Sequence, residues 1–213
     1  MNVQIFSDIV CPFCYIGKRQ FGLALEKFEH RDDVQVLYRS FELNKKASVE
    51  NDFDIYEMLA SKYSMSREQA IEANERVAMS GESVGIEFHI EKAQVTNSFN
   101  AHRLCHLASK HGLQAQAFEA LHRAYFSEGI HIGRIDQLIE IGTAIGLDKN
   151  EVESMFNRDY LSDAVRDDET LAADLQITGV PFFIIDGKYA ISGAQGEENF
   201  LSFLDQVWQA ESH

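Results

Sequence analysis

Two cysteines lie three residues apart near the start of the chain, in Cys11-Pro12-Phe13-Cys14. Such a pair can cycle between dithiol and disulfide, or it can supply half of a zinc site. A structural zinc site needs four ligands, usually from a second paired motif, and the 213 residues hold no second Cys-x-x-Cys. The third cysteine, Cys105, lies between His102 and His106. Histidines four apart share a helix face, so their spacing admits a metal. A packed or solvated face, Cys105 as a small buried hydrophobe and no metal are the expectation. Three cysteines cannot build a disulfide framework. In a reducing compartment a close pair does redox or metal chemistry rather than cross-linking.

The nucleophile in disulfide exchange is a thiolate. Pro12 suits a first helical turn, which puts Cys11 at a helix N-terminus. Backbone N–H groups and the helix dipole favour negative charge there. Lys18 and Arg19 follow in the next turns. Cys11 is therefore expected to attack, and Cys14, one turn in and more buried, to resolve. Asp8, three residues before Cys11, has two readings: a proton carrier during exchange, or a cap of the turn or helix start. Far along the chain, Thr178-Gly179-Val180-Pro181 opens a strand, a place where proline is tolerated. The residues alone leave that proline trans or cis.

The elements around these residues are legible from periodicity. Val3 and Ile5 read as a first strand, and Ile16, Phe21, Leu25 and Phe28 as a helix. Val34, Val36 and Tyr38 alternate as a second strand, giving a parallel βαβ unit. Residues 50 to 175 are helical in pattern, with candidates at 54–63, 66–80, 98–111, 114–127, 134–145, 149–158 and 161–175. Ser66 with Gln69 fits a capping box, and Asp148 with Glu151 fits one less strictly. Gly112 and Gly146 read as helix stops. Pro181 to Ile185, the turn Asp186-Gly187 and Lys188 to Ile191 read as a hairpin. Glu197 to Gln209 closes the chain as a helix. The fold expected is α/β: a sheet domain built from both ends of the chain, with a large helical insertion.

Composition narrows the partners. With 19 Lys+Arg against 34 Asp+Glu the net charge is −15, which repels phosphate backbones and argues against nucleic acid. No run of about 18 apolar residues suggests a membrane span. The amphipathic start, beginning at Met1, reads as a strand rather than a leader, so the expected compartment is the cytoplasm. Residues 1–45 balance six basic and six acidic residues, so the cysteine segment escapes the negative field that would raise a thiol pKa. No Gly-rich loop marks a flavin, nicotinamide or phosphate site.

The Cys-Pro-Phe-Cys turn, the helical insertion, and Gly179-Val180-Pro181 before a hairpin and last helix resemble the thioredoxin fold. More narrowly, the chain resembles the DsbA family and its FrnE-like cytosolic dithiol–disulfide oxidoreductases. Phe6-Ser7-Asp8, the run Asn97 to Leu104, and Ser192-Gly193-Ala194-Gln195 carry that narrower likeness. The resemblance implies thioredoxin-like parts at 1–50 and 166–213 around an insertion at 51–165. It implies a cis Pro181 beside the cysteines, and Val180, Tyr15, Asn97 and Ser98 as substrate-binding residues. Pro12, Phe13 and Asp8 would tune the couple. Phe13 replaces the His of the DsbA enzymes proper, implying a less oxidising couple. The implied activity is that of a thiol–disulfide oxidoreductase or isomerase on protein or small-molecule disulfides, with cysteine-containing proteins or glutathione as partners, no bound cofactor, and a monomer or homodimer. A glutathione-dependent isomerase or transferase of the kappa-class or 2-hydroxychromene-2-carboxylate isomerase type is the nearest alternative, although that group carries Ser at the place of Cys11. A non-catalytic binder, chaperone-like or redox-sensing, is the alternative of another class; a chaperone-like holdase would survive Cys11→Ser. Met58, Met65, Met79 and Phe118 could line its groove but are expected in the core.

Overall fold

A computed structural model describes residues 1–211. The first strand, β1 (Asn2–Ser7), buries Val3, Ile5 and Phe6 and forms the centre of a four-stranded sheet. Helix α1 (Pro12–Lys27) carries the chain across to β2 (Gln35–Ser40), which pairs parallel to β1 with Ile5 opposite Tyr38. The hairpin strands β3 (Phe182–Ile185) and β4 (Tyr189–Ser192) add antiparallel on the other side, giving the order β2-β1-β3-β4. Asp186 and Gly187 both take positive φ, as the two-residue hairpin turn requires. The last helix, α9 (Glu197–Glu211), packs on α1, with Phe200 edge-on to Phe21.

The helical segment comprises α2 (Ile55–Tyr63), α3 (Arg67–Glu82), α4 (Phe99–Lys110), α5 (Gln114–Arg123), α6 (Ile135–Ala144), α7 (Lys149–Phe156) and α8 (Ser162–Asp174). Ser66 and Gln69 form the expected capping box, and Asp54 with Glu57 forms another that periodicity did not signal. Asp148 caps through the Glu151 N–H. The helix expected at 114–127 instead ends in a π-helical turn at Ala124–Glu128. There the Phe126 carbonyl is taken by the His89 N–H, and Gly129, at φ 70°, closes the turn. Phe118 is buried and Met58 and Met65 are partly so, but Met79 is 60% exposed and does not join the core. At 3.6 residues per turn it lies well round α3 from the buried Asn74.

The insertion is tied to the open edge of β2. An edge strand leaves unpaired N–H and C=O groups. The Gln114 carboxamide answers both groups of Tyr38, accepting from its N–H at 3.0 Å and donating to its carbonyl at 2.9 Å. The Ser40 N–H donates to Asp168 Oδ2 at 2.8 Å. One continuous apolar core runs from Val3 and Phe183 of the sheet to Leu104, Leu138 and Val152 of the helices. The division drawn at 165/166 falls inside α8, whose Asp168 also binds Arg39 of β2. Among the described residues no helix is long and apolar enough to cross a membrane.

Candidate active site

Cys11 is the N-cap of α1 and Pro12 its first residue. The Cys11 thiol donates to the Val180 carbonyl at 3.7 Å, across 169 residues of chain. The Val180–Pro181 peptide bond is cis, and Pro181 lies against α1 at Gly17. The two motifs therefore meet. Both thiols are free; Cys11 keeps 4% exposure and Cys14 only 1%. Burial, then the hydrogen bond and charge of Cys11, push the Cys14 thiol well above its ordinary value. The Asp8 N–H and the Ser7 hydroxyl pull it back in part. Phe13, between the cysteines, is half exposed. Lys18 and Arg19 do not turn to the thiols. Lys18 pairs with Glu119 at 2.5 Å, and Arg19 donates to the Val84 carbonyl.

Beneath the turn lies a closed polar floor. Asp8 is fully buried. Its Oδ1 accepts from His102 Nε2 at 3.3 Å and its Oδ2 from the Leu43 N–H at 2.7 Å. Burial raises the Asp8 pKa, but His102, the Leu43 N–H and the Ser98 hydroxyl outweigh it and hold the carboxyl below its ordinary range. Asp8 is thus a carboxylate, and His102 must present an N–H to it. The Asp8 carbonyl accepts from the Cys11 N–H at 3.2 Å and from His122 Nε2 at 3.3 Å. Asp8 caps the turn between β1 and α1 rather than the helix itself. His122 is also fully buried, and that burial, with the Lys18 charge, lowers its pKa to about 4. It is neutral at physiological pH.

Tyr15 is buried too. Its hydroxyl donates to Glu119 at 2.8 Å and its ring stacks on His122 at 5.0 Å. Asn97 accepts from the Phe99 N–H at 2.8 Å and donates to Glu42 at 3.3 Å; Ser98 is buried against Asp8. The side chains of Tyr15 and Ser98 therefore support the floor, Asn97 caps the start of α4 and holds Glu42, and Val180 and Phe13 stand at the half-open side. His102, His122 and Glu119 had no role in the sequence reading beyond the spacing of His102 from His106. His106 instead faces Asp168 at 3.2 Å. Cys105 is buried, and among the described residues no three His, Cys, Asp or Glu side chains are placed to hold a metal ion.

The arrangement matches known proteins. The family model of the DSBA-like thioredoxin domain covers residues 2–205. The chain belongs to this DSBA-like family. Among solved structures, a probable DsbA oxidoreductase from Streptomyces coelicolor superposes with a TM-score of 0.94 at 37% identity, covering 98% of this chain and 90% of that one. A 2-hydroxychromene-2-carboxylate isomerase shares the fold at TM-score 0.76 and 14% identity, covering 100% of this chain and 98% of the other. The cytosolic disulfide reductase DsbM of Pseudomonas aeruginosa shares it at TM-score 0.67 and 16% identity, covering 99% and 100%. Membership in the DSBA-like family makes a thiol–disulfide oxidoreductase the general kind of protein to which this chain belongs.

Proposed function

We propose that the protein exchanges disulfides with cysteine-containing polypeptides through Cys11 and Cys14. The observation that carries this reading is the contact of the Cys11 thiol with Val180, beside a second, deeper thiol. Cys11 Sγ, as thiolate, attacks a substrate disulfide; a Cys11–substrate disulfide forms and one substrate thiolate leaves. Once Cys11 is so engaged, its charge and its hydrogen bond no longer raise the Cys14 pKa. Cys14 then loses its proton to solvent and attacks Cys11 Sγ, releasing the second substrate thiolate and leaving a Cys11–Cys14 disulfide. The substrate gains two electrons; the reverse sequence oxidises a dithiol. An extended substrate pairs with the Val180 backbone by strand addition, which gives affinity with little sequence preference.

The reading requires no bound cofactor. Glutathione serves as the regenerating partner, a role supported by the fold shared with DsbM, which is also known in a structure with glutathione. The buried free thiol Cys105 and the lack of a disulfide framework fit a reducing cytoplasm. The test equilibrates the protein in glutathione buffers and quantifies the Cys11–Cys14 disulfide by thiol trapping and mass. Reversible two-electron formation is expected. Cys11→Ser should cut exchange at least about a thousandfold, some 4 kcal/mol of barrier, and Cys14→Ala should accumulate the mixed disulfide. A stable glutathione adduct with no internal disulfide would favour a glutathione-dependent isomerase or transferase. Activity that survives Cys11→Ser would favour a binding protein.

A further inference from the structure

Ser7 stands on an apolar face. Side chains alternate along a strand, so Ser7 shares its side of β1 with Val3 and Ile5. Phe183, opposite Ile5 in the ladder, meets Phe21 of α1 with ring centroids 5.4 Å apart, so this is the side that α1 covers. Ser7 is 2% exposed, and a buried hydroxyl without a partner is costly. Its partner is the Cys14 sulfur, to which it donates. The pairing of β1 ends at Ser7 with β2 and at Phe6 with β3. The Asp8 N–H falls just past that end and turns to the same sulfur. Two donors, one from a side chain and one from the backbone, thus converge on Cys14.

The ionisable groups of this floor are otherwise engaged. Asp8 Oδ1 accepts from His102 Nε2 and from the Val10 N–H, and its Oδ2 from the Leu43 N–H. His122 gives its Nε2–H to the Asp8 carbonyl. Lys18, one turn beyond Cys14 on α1, pairs with Glu119 of α5. Cys11 is the thiol that the substrate occupies when Cys14 must act. A hydroxyl and an amide take no proton from Cys14; they stabilise the negative charge once it forms. In the first step the charge lies on Cys11, so donors aimed at Cys14 act chiefly in the second.

We propose that Ser7 is a catalytic residue of the second half of the exchange: its hydroxyl, with the Asp8 N–H, cradles the Cys14 thiolate that attacks the mixed disulfide. The proposal rests on Cys14 being the resolving thiol. In that step Cys14 Sγ bonds to Cys11 Sγ, the Cys11–substrate bond breaks, and the substrate sulfur leaves as a thiolate with the electron pair. The hydroxyl and the amide keep their protons. Losing one hydrogen bond to a charged sulfur cuts the thiolate fraction about tenfold. The thiolate that remains is about threefold more nucleophilic, so resolution should slow about threefold near neutral pH. The loss should shrink as pH rises and ionises the thiol in both proteins. The experiment follows one turnover of the reduced protein with a single-cysteine peptide activated as its thionitrobenzoate disulfide. Attack bonds Cys11 Sγ to the peptide sulfur and releases coloured thionitrobenzoate. Resolution releases the peptide thiol, read by acid quench and mass. Thr and Val have the same shape and differ by the hydroxyl, so Ser7→Thr and Ser7→Val form the deciding pair. Peptide release should be about threefold slower in Ser7→Val than in Ser7→Thr, with thionitrobenzoate release alike in both. Ser7→Ala, which adds no atoms, gives the same comparison against the unaltered protein should the larger side chains not fit. Equal peptide release at every pH, or a slowing of both steps together, would overturn the role of Ser7 and leave the Cys11–Cys14 exchange standing. If no peptide labels Cys11, or none is released with a Cys11–Cys14 disulfide, the exchange reading fails and the cradle with it.

Discussion

The two sides of the Cys11–Cys14 turn are built on opposite principles. Below it, Asp8, His102, His122 and Ser98 are buried and bonded to one another or to the backbone of the turn, and buried Tyr15 stacks on His122 and donates to Glu119. Above it, Phe13 is half exposed, Val180 is only partly buried, and the Val180 carbonyl accepts from the Cys11 thiol. The closed side fixes where the sulfurs sit and how the protons are shared. The open side offers apolar surface and backbone, which suits partners of many sequences. On the function proposed above, chemistry and selectivity would answer to different residues, and substitutions on the two sides should be separable.

The largest separable effect belongs to the closed side. His122 has a pKa near 4 when folded and about 6.5 when unfolded. Between those values the unfolded chain holds the imidazole proton and the folded chain does not. The unfolded state binds more protons, so stability falls as pH falls through that window. The full difference is about 3 kcal/mol. Carboxylates held below their ordinary values, Asp8 and Glu119 among them, add slope of the same sign below about pH 5, so the His122 contribution is read between about pH 5 and 6.5. His122→Gln keeps a donor for the Asp8 carbonyl and removes the titration. Urea unfolding of this variant at several pH values should lose most of that slope; an unchanged slope would show that His122 titrates normally.

On the open side, Phe13→His tests tuning by an exposed group. A cation beside Cys11 stabilises the thiolate and makes the couple more oxidising. Because position 13 is half exposed, screening limits the shift to roughly 10–30 mV at low salt. It should be larger at pH 6 than at pH 8 and shrink with salt. The unaltered protein should lie well below about −120 mV, between about −270 and −180 mV. A shift independent of salt would place residue 13 with the closed side.

What the sequence made legible follows the same division. Strand alternation, helix spacing and the punctuation by Gly112, Gly146 and Asp186-Gly187 placed most elements within two residues, because each depends on neighbours in sequence. The turn and the Val180-Pro181 pair were visible because their residue types are rare. The floor was not. Asp8 meets His102 across 94 residues and His122 across 114, and no local pattern marks such a pairing. Tyr15 and Ser98 carry polar groups that look equally suited to a substrate or to a buried partner, and only the fold shows they face inward. The edge-strand cap by Gln114 was hidden for the same reason, since a glutamine at a helix start is unremarkable alone.

The finest probe of how the two sides join is Gly17, on the face of α1 that meets the Val180–Pro181 loop. A Cβ there would lie 3.0 Å from Pro181 Cγ and 3.5 Å from Ala194 Cα. Alanine in a helix gains up to about 1 kcal/mol over glycine, and overpacking costs about 1–3 kcal/mol, so the two nearly cancel. Gly22 lies in the same helix with nothing within 4 Å of its Cβ position. Gly22→Ala should therefore stabilise by about 1 kcal/mol, while Gly17→Ala should be neutral or slightly destabilising. Gly17→Ala should also move Pro181 outward and lengthen the Cys11–Val180 contact. Exchange with cysteine peptides should then slow severalfold, while alkylation of Cys11 by a small reagent should not, because the reagent needs no strand pairing. If both rates fall together, the loop acts on the thiol itself and not on the docking of the chain. If neither falls, the close approach of α1 to Pro181 is packing alone, and the open side begins at Val180 rather than at the helix beneath it.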